Sequence, residues 1–132
     1  MLRLSVVIPG LAAAAVAAGP VFSDGDPVAG KLAYDRCLGC HSPERDRTGP
    51  RHCGLLGRVA GSVVDFDYST VMRESEVIWD RATLDQFLES PLTFMPGTRM
   101  GIAGIKNATE RANLIAYLEE LSGSSQYCKT ML

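Results

Sequence analysis

Apolar positions along the chain fall into three helical stripes separated by turn-rich stretches. The clearest lies near the C-terminus. Leu114, Ile115, Leu118 and Leu121 recur at helical spacing, Asn107 with Glu110 three residues on makes a capping-box-like start, and Gly123 supplies a stop. A second stripe opens at Asp80, carries Leu84, Phe87 and Leu88 on one face, and ends at Ser90 before Pro91. The earliest has Asp26 as N-cap and Pro27 in the first helical position, and runs through Val28 and Leu32 toward Cys37. Between them, "RTGPRHCGLLGRVAGS" and "SPLTFMPGTRMGIAG" show no sustained alternation, so strands are at most short and an all-α fold is predicted. Long irregular segments in so small a domain need something to fold around, and a bulky apolar group would serve.

The N-terminal pattern is different. An apolar stretch from about Leu4 to Ala18, with Arg3 as its one charge, lacks an amphipathic period and is short for a membrane span. It reads as a secretory leader over residues 1–23, with Val21 and Ser23 before a cut near Asp24; retention as a membrane anchor is the alternative. The mature domain is then 24–132, with 12 basic against 15 acidic side chains. That size argues one domain, and the mild acidity with no run of like charge argues against nucleic acid. A small domain of this kind gains from a covalent staple or a central cofactor.

Export changes how the four cysteines read, because thiols in such a compartment tend to oxidise. Cys37, Cys40 and His41 form "CLGCH". A structural zinc site needs four ligands, and only lone residues such as Cys53 or His52 could complete this one. A redox dithiol wants a strand upstream, and none is visible. Cys-x-x-Cys-His in an exported chain is the haem-attachment pattern, with two thiols spaced for two vinyl groups and an imidazole that reaches the iron. Met72, Met95, Met100, Met131 and His52 are candidates for a sixth ligand. Met100 stands out because it follows a Pro-Gly turn, 59 positions after His41 with a helix between. His52 is expected at the surface or behind the ligands rather than on the iron.

With these motifs in view, the chain resembles a class I soluble cytochrome c of the mitochondrial and photosynthetic-bacterial type. The resemblance spans about Gly30 to Leu121 and rests on "CLGCH", "TGPRHCGLLGR", "FDYS", "VIWD", "TLDQFLESP" and "PGTRMGIAGIKNATERANLIAYLEEL", in order and near the family's spacing. It implies three main helices and loops wrapped around one covalent haem c, held by Cys37 and Cys40, with His41 and Met100 as axial ligands. It implies that the Pro50 carbonyl accepts the His41 ring N–H. Arg58, Tyr68 and Trp79 match positions that bind a buried propionate, and Thr98 matches a partner of the other propionate; a buried carboxylate needs such pairing. Gly30, Tyr117 and Leu118 match the crossing of the terminal helices.

The resemblance also implies an electron carrier rather than an enzyme: a periplasmic monomer shuttling electrons from a quinol-oxidising complex of the quinol–cytochrome c reductase type. Its acceptor would be an oxidase, a photosynthetic reaction centre or a periplasmic reductase. Alternatives are a membrane-tethered carrier and a haem ligand-binding or peroxidatic protein with a labile methionine. Several positions depart from the family. Phe87 stands for a common Tyr, Met72 for a common Asn, Leu92 for a docking lysine and Ile102 for an aromatic, and the stretch between His41 and Gly49 is about three residues short. Arg36, Arg47, Arg99 and Lys106 fall at positions ringing the haem edge, so a basic docking face on an acidic body is expected. Cys53 and Cys128 lie outside the attachment motif, and a disulfide from loop to tail is expected.

Overall fold

The computed structural model describes residues 24–123 and Cys128. The segment read as a leader, residues 1–23, and the candidate Met131 lie outside the described residues. Among those described, five helices follow in order: α1 (Pro27–Tyr34), α2 (Thr70–Arg73), α3 (Arg81–Glu89), α4 (Pro91–Phe94) and α5 (Ala108–Gly123). The only β pairing among them is an isolated antiparallel bridge between Val59 and Ile78. No helix there is long and apolar enough to cross a membrane.

Side-chain caps explain where the longer helices begin. The Asp26 carboxylate accepts from Val28 N at 2.9 Å with Pro27 behind it, so α1 starts as its sequence implies. Asp80 accepts from Thr83 N at 2.8 Å while Thr83 Oγ1 accepts from Asp80 N at 2.9 Å, a reciprocal cap at the head of α3. At α5 only half of the expected box forms. Asn107 Oδ1 accepts from Glu110 N at 3.0 Å, but the Glu110 carboxylate turns to an ion pair with Arg36.

The two terminal helices cross at Gly30. A Cβ there would lie 1.9 Å from the Asn113 carbonyl oxygen and 2.9 Å from Tyr117 Cβ, so only glycine lets the backbones approach this closely. The crossing also decides which face of α1 is buried. Gly30 and Tyr34 turn inward, whereas Val28 and Leu32 are 74% and 73% exposed. A 16-residue helix such as α5 is marginal by itself, and its stability comes from burying Leu114, Ile115, Leu118 and Leu121 against α1 and α3. The core then closes with Leu55, Tyr68, Met72, Trp79, Phe87 and Met95. A disulfide joins Cys53 to Cys128, tying the loop after the Cys-x-x-Cys-His motif to the chain beyond α5.

Candidate cofactor site

A cavity of about 400 Å³ opens between the loops and the inner faces of α3 and α5. Leu55, Met72, Leu84, Phe87, Leu88, Ile105, Leu114 and Leu118 make it largely apolar, while Arg58, Tyr68, Trp79 and Thr98 bring polar groups to its wall. Cys37, Cys40, His41, Pro50 and Met100 line it too, so the nine residues expected to hold a haem all reach one space.

The attachment motif is built by turns that extend α1. Cys37 N bonds Tyr34 O at 2.8 Å, Cys40 N bonds Cys37 O at 3.0 Å, and His41 N bonds Cys37 O at 2.8 Å. One helical turn therefore carries the motif and sets two cysteines three residues apart on one side. Both thiols are free, Cys37 partly buried and Cys40 exposed. Burial pushes the Cys37 thiol up to about 11, with Arg36 opposing and Cys40 adding to the shift.

His41 is buried and held from two sides. Its Nδ1 lies 2.7 Å from the Pro50 carbonyl oxygen, and Gly49 packs against the ring so tightly that a Cβ would sit 2.3 Å from Cε1. Burial lowers its basicity, partly offset by the Pro50 hydrogen bond, so the ring is neutral and Nδ1–H donates to that carbonyl. That leaves Nε2 unprotonated, with its lone pair available to a metal.

Two tethered ends hold the loop bearing Met100. Gly97 supplies the left-handed turn after Pro96 with φ of +93°. Downstream, Ile105 N donates to Leu88 O at 2.8 Å and Lys106 Nζ to Glu89 O at 2.7 Å, which fastens the loop to the end of α3. Thr98, itself buried, accepts from Met100 N through Oγ1 at 3.3 Å.

Arg58 and Trp79 are brought together by backbone pairing, Trp79 N to Arg58 O at 2.9 Å. The Arg58 guanidinium donates to Cys53 O at 3.1 Å and Arg51 O at 2.9 Å. Burial pulls its pKa down with Tyr68 acting against the fall, and an arginine remains cationic at neutral pH even so. Burial likewise raises the Tyr68 phenol, with Arg58 opposing, so its hydroxyl is a donor.

An apolar slot with a cation, a phenol and an indole N–H beside one another, two free thiols and a neutral imidazole suits a flat apolar ring that carries acidic groups and a metal. No protein-family model matches the chain. Cytochrome c2 of Rhodomicrobium vannielii is 37% identical over 122 residues, covering 90% of this chain and 98% of the relative. The chain belongs to the class I soluble cytochromes c. Cytochrome c type-1 of Ascaris suum is 44% identical over 104 residues, 76% of this chain and 93% of the relative. The solved structure of cytochrome cH from Methylobacterium extorquens superposes with a TM-score of 0.70 at 36% identity, covering 72% of this chain and 98% of that one. Membership makes the chain a carrier of covalent haem c and of electrons, not an enzyme.

The remaining candidates sort by geometry. Met72 and Phe87 are both buried and line the cavity, so its wall is apolar at these two positions. Met95 is buried in the core and does not line the cavity. His52 stacks on His41 with ring centroids 4.2 Å apart and planes 22° apart. A ring stacked face to face on His41 lies on the same side as His41 and not opposite it. The four basic residues expected around the edge are all exposed. Arg36 pairs with Glu110, and Arg99 with Asp67 at 2.8 Å, whereas Arg47 donates to Leu38 O and Lys106 to Glu89 O.

Arg111 was not anticipated. It is buried, donates to Asp85 Oδ1 at 2.7 Å and to Ile105 O at 2.9 Å, and so locks α5 to α3 and to the foot of the Met100 loop. The Asp85 hydrogen bond raises its pKa and burial acts against it. The signal was present in the sequence, since residue 111 lies on the same helical stripe as Leu114, Ile115 and Leu118.

Proposed function

We propose that this cytochrome carries single electrons in the periplasm through a His41/Met100-ligated haem, between a quinol-oxidising complex and an acceptor such as an oxidase, a photosynthetic reaction centre or a periplasmic reductase. The observation that carries the reading is the convergence of Cys37, Cys40, His41 and Met100 on one apolar cavity. When bound, haem c supplies a one-electron iron couple.

The protein's own residues supply the rest. Cys37 and Cys40 would hold the ring through thioether bonds, so that it could not dissociate. His41 ligates through Nε2 while Pro50 holds its other ring nitrogen and fixes tautomer and orientation. Met100 presents a neutral thioether sulfur from a loop fastened at its foot. Arg58, Tyr68 and Trp79 offer hydrogen bonds to one carboxylate and Thr98 to the other. Met72, Leu84, Phe87 and Leu88 exclude water. His41 and Met100, each held by a fixed backbone, would leave little to reorganise on electron transfer.

Partners dock at the exposed rim that includes Arg36, Arg99 and Ile102, with Arg47 and Lys106 widening the basic face on an acidic body. Intact mass of the exported protein tests the attachment and the leader together. The expected mass is that of one chain beginning near Asp24 plus one haem that survives acidified acetone. A haem that extracts, or a chain that keeps residues 1–23, contradicts this reading. Electron-exchange rates with membranes of the source cell should fall as salt rises, and rates indifferent to salt contradict the basic docking face.

A further inference from the structure

We propose that His52, held by Tyr34, is a positioning residue for the proximal ligand: it braces the face of the His41 imidazole and holds the midpoint potential down. The proposal rests on the reading of His41 as a ligand, and its evidence is geometric. The two rings lie almost parallel at 4.2 Å, a face-to-face stack rather than a chance edge contact. His52 is pinned in turn. Tyr34 Oη lies 2.9 Å from His52 Nδ1, and the two rings meet edge to face at 5.6 Å. Tyr34 is itself 2% exposed and packs edge to face on Tyr117 of α5. Burial, with help from Cys37, keeps the Tyr34 phenol protonated, so a neutral hydroxyl bonds His52 Nδ1.

The backbone is equally fixed. His52 N bonds Ser42 O and Pro43 O at 3.2 Å each, Cys53 N bonds Pro43 O at 2.8 Å, and Cys53 carries the disulfide to Cys128. The chain following His41 thus doubles back and lays one imidazole on the other.

The sign of the effect follows from the charge of the iron. An oxidised centre is more positive, and its charge spreads onto the ligating imidazole. The electron-rich face of a neutral ring stacked there stabilises that charge, as it does any cation over a π system. Ring contact also limits rotation of His41 about its bond to the metal, which the Pro50 hydrogen bond restrains from the edge alone.

The test uses the holoprotein, with redox titration and electron paramagnetic resonance of the ferric state. His52→Leu should raise the midpoint potential and change the ferric g-values. His52→Phe, which keeps a stacking ring, should bring the g-values back toward wild type, a rescue that simple packing volume does not explain. Tyr34→Phe should shift the potential in the same direction as His52→Leu by a smaller amount. A potential unmoved or lowered in His52→Leu, or g-values equal in the Leu and Phe variants, overturns the proposal. If His52→Leu does not fold, the Phe variant and Tyr34→Phe decide between the same outcomes. A wild-type ferric spectrum without low-spin histidine ligation overturns the ligand assignment along with it; a low-spin wild type that no variant perturbs overturns this proposal alone.

Discussion

Met100 reaches the cavity from a loop whose foot is bonded to Leu88 and Glu89, so its sulfur is presented by a restrained backbone rather than by a mobile arm. Met100→Ala should abolish the weak far-red absorption of a ferric iron–sulfur bond, open the ferrous protein to CO and lower the midpoint potential, because a thioether ligand favours the reduced state. Optical spectra of the variant check all three. Asp80 offers a second test, on stability. Hydrogen bonding, above all from Thr83 N, holds its carboxyl below the usual carboxylate range. A carboxyl depressed on folding contributes stability that is present above its unfolded pKa of about 4 and lost as pH falls through the folded value. Asp80→Ala should therefore cost about 1 kcal/mol at neutral pH, and the gap in Tm between it and wild type should shrink below about pH 4. A gap constant with pH would mean that Asp80 stabilises by something other than its charged cap. At this scale the attachment residues were legible because Cys-x-x-Cys-His has little chemistry besides haem open to it. The roles of Tyr34 and His52 were not legible, because a stack between residues 41 and 52 depends on how the intervening chain doubles back.

The terminal helices stand or fall on Gly30. A Cβ would overlap the Asn113 carbonyl, and backbone cannot retreat as a side-chain tip can. Gly30→Ala should destabilise by about 3 kcal/mol, at the upper end of overpacking costs, seen as a fall in the urea midpoint. An unchanged midpoint would show that α1 and α5 are free to move apart. The sequence marked α1, α3 and α5 well, since each has a capping residue and a buried stripe or a helix-starting proline. It did not mark α2 and α4, four residues each, because one turn of helix has no period to read. It also did not tell which side of α1 is buried. Val28 and Leu32 carry the apolar signal yet face solvent, because the close crossing at Gly30 turns the opposite face toward α5. Glu110 shows the same tertiary override: a capping partner by spacing, it pairs instead with Arg36 across the terminal-helix contact.

Over the whole molecule, the chain wraps a cavity and is fastened across its ends. The Cys53–Cys128 disulfide spans a sequence separation of 75 residues. By loop-closure entropy it adds at most about 4.5 kcal/mol. Replacing both cysteines with serine should lower Tm, by on the order of 20 °C at that limit. A Tm within error of wild type would mean that the haem and the core alone hold the tail. On the rim proposed for docking, Arg36 and Arg99 each pair with an acid, Glu110 and Asp67. Which side chains an exposed arginine meets was not readable from position alone, because Glu110 and Asp67 lie 74 and 32 residues away. The proposed iron is held by His41 and Met100 in both oxidation states. The most direct measurement is a spectroelectrochemical titration of the purified holoprotein with and without CO. The expected result is one one-electron wave, low-spin spectra at both ends with the far-red sulfur band in the oxidised form, and no change on adding CO. Prompt CO binding by the reduced protein, with no far-red band in the oxidised one, would contradict it.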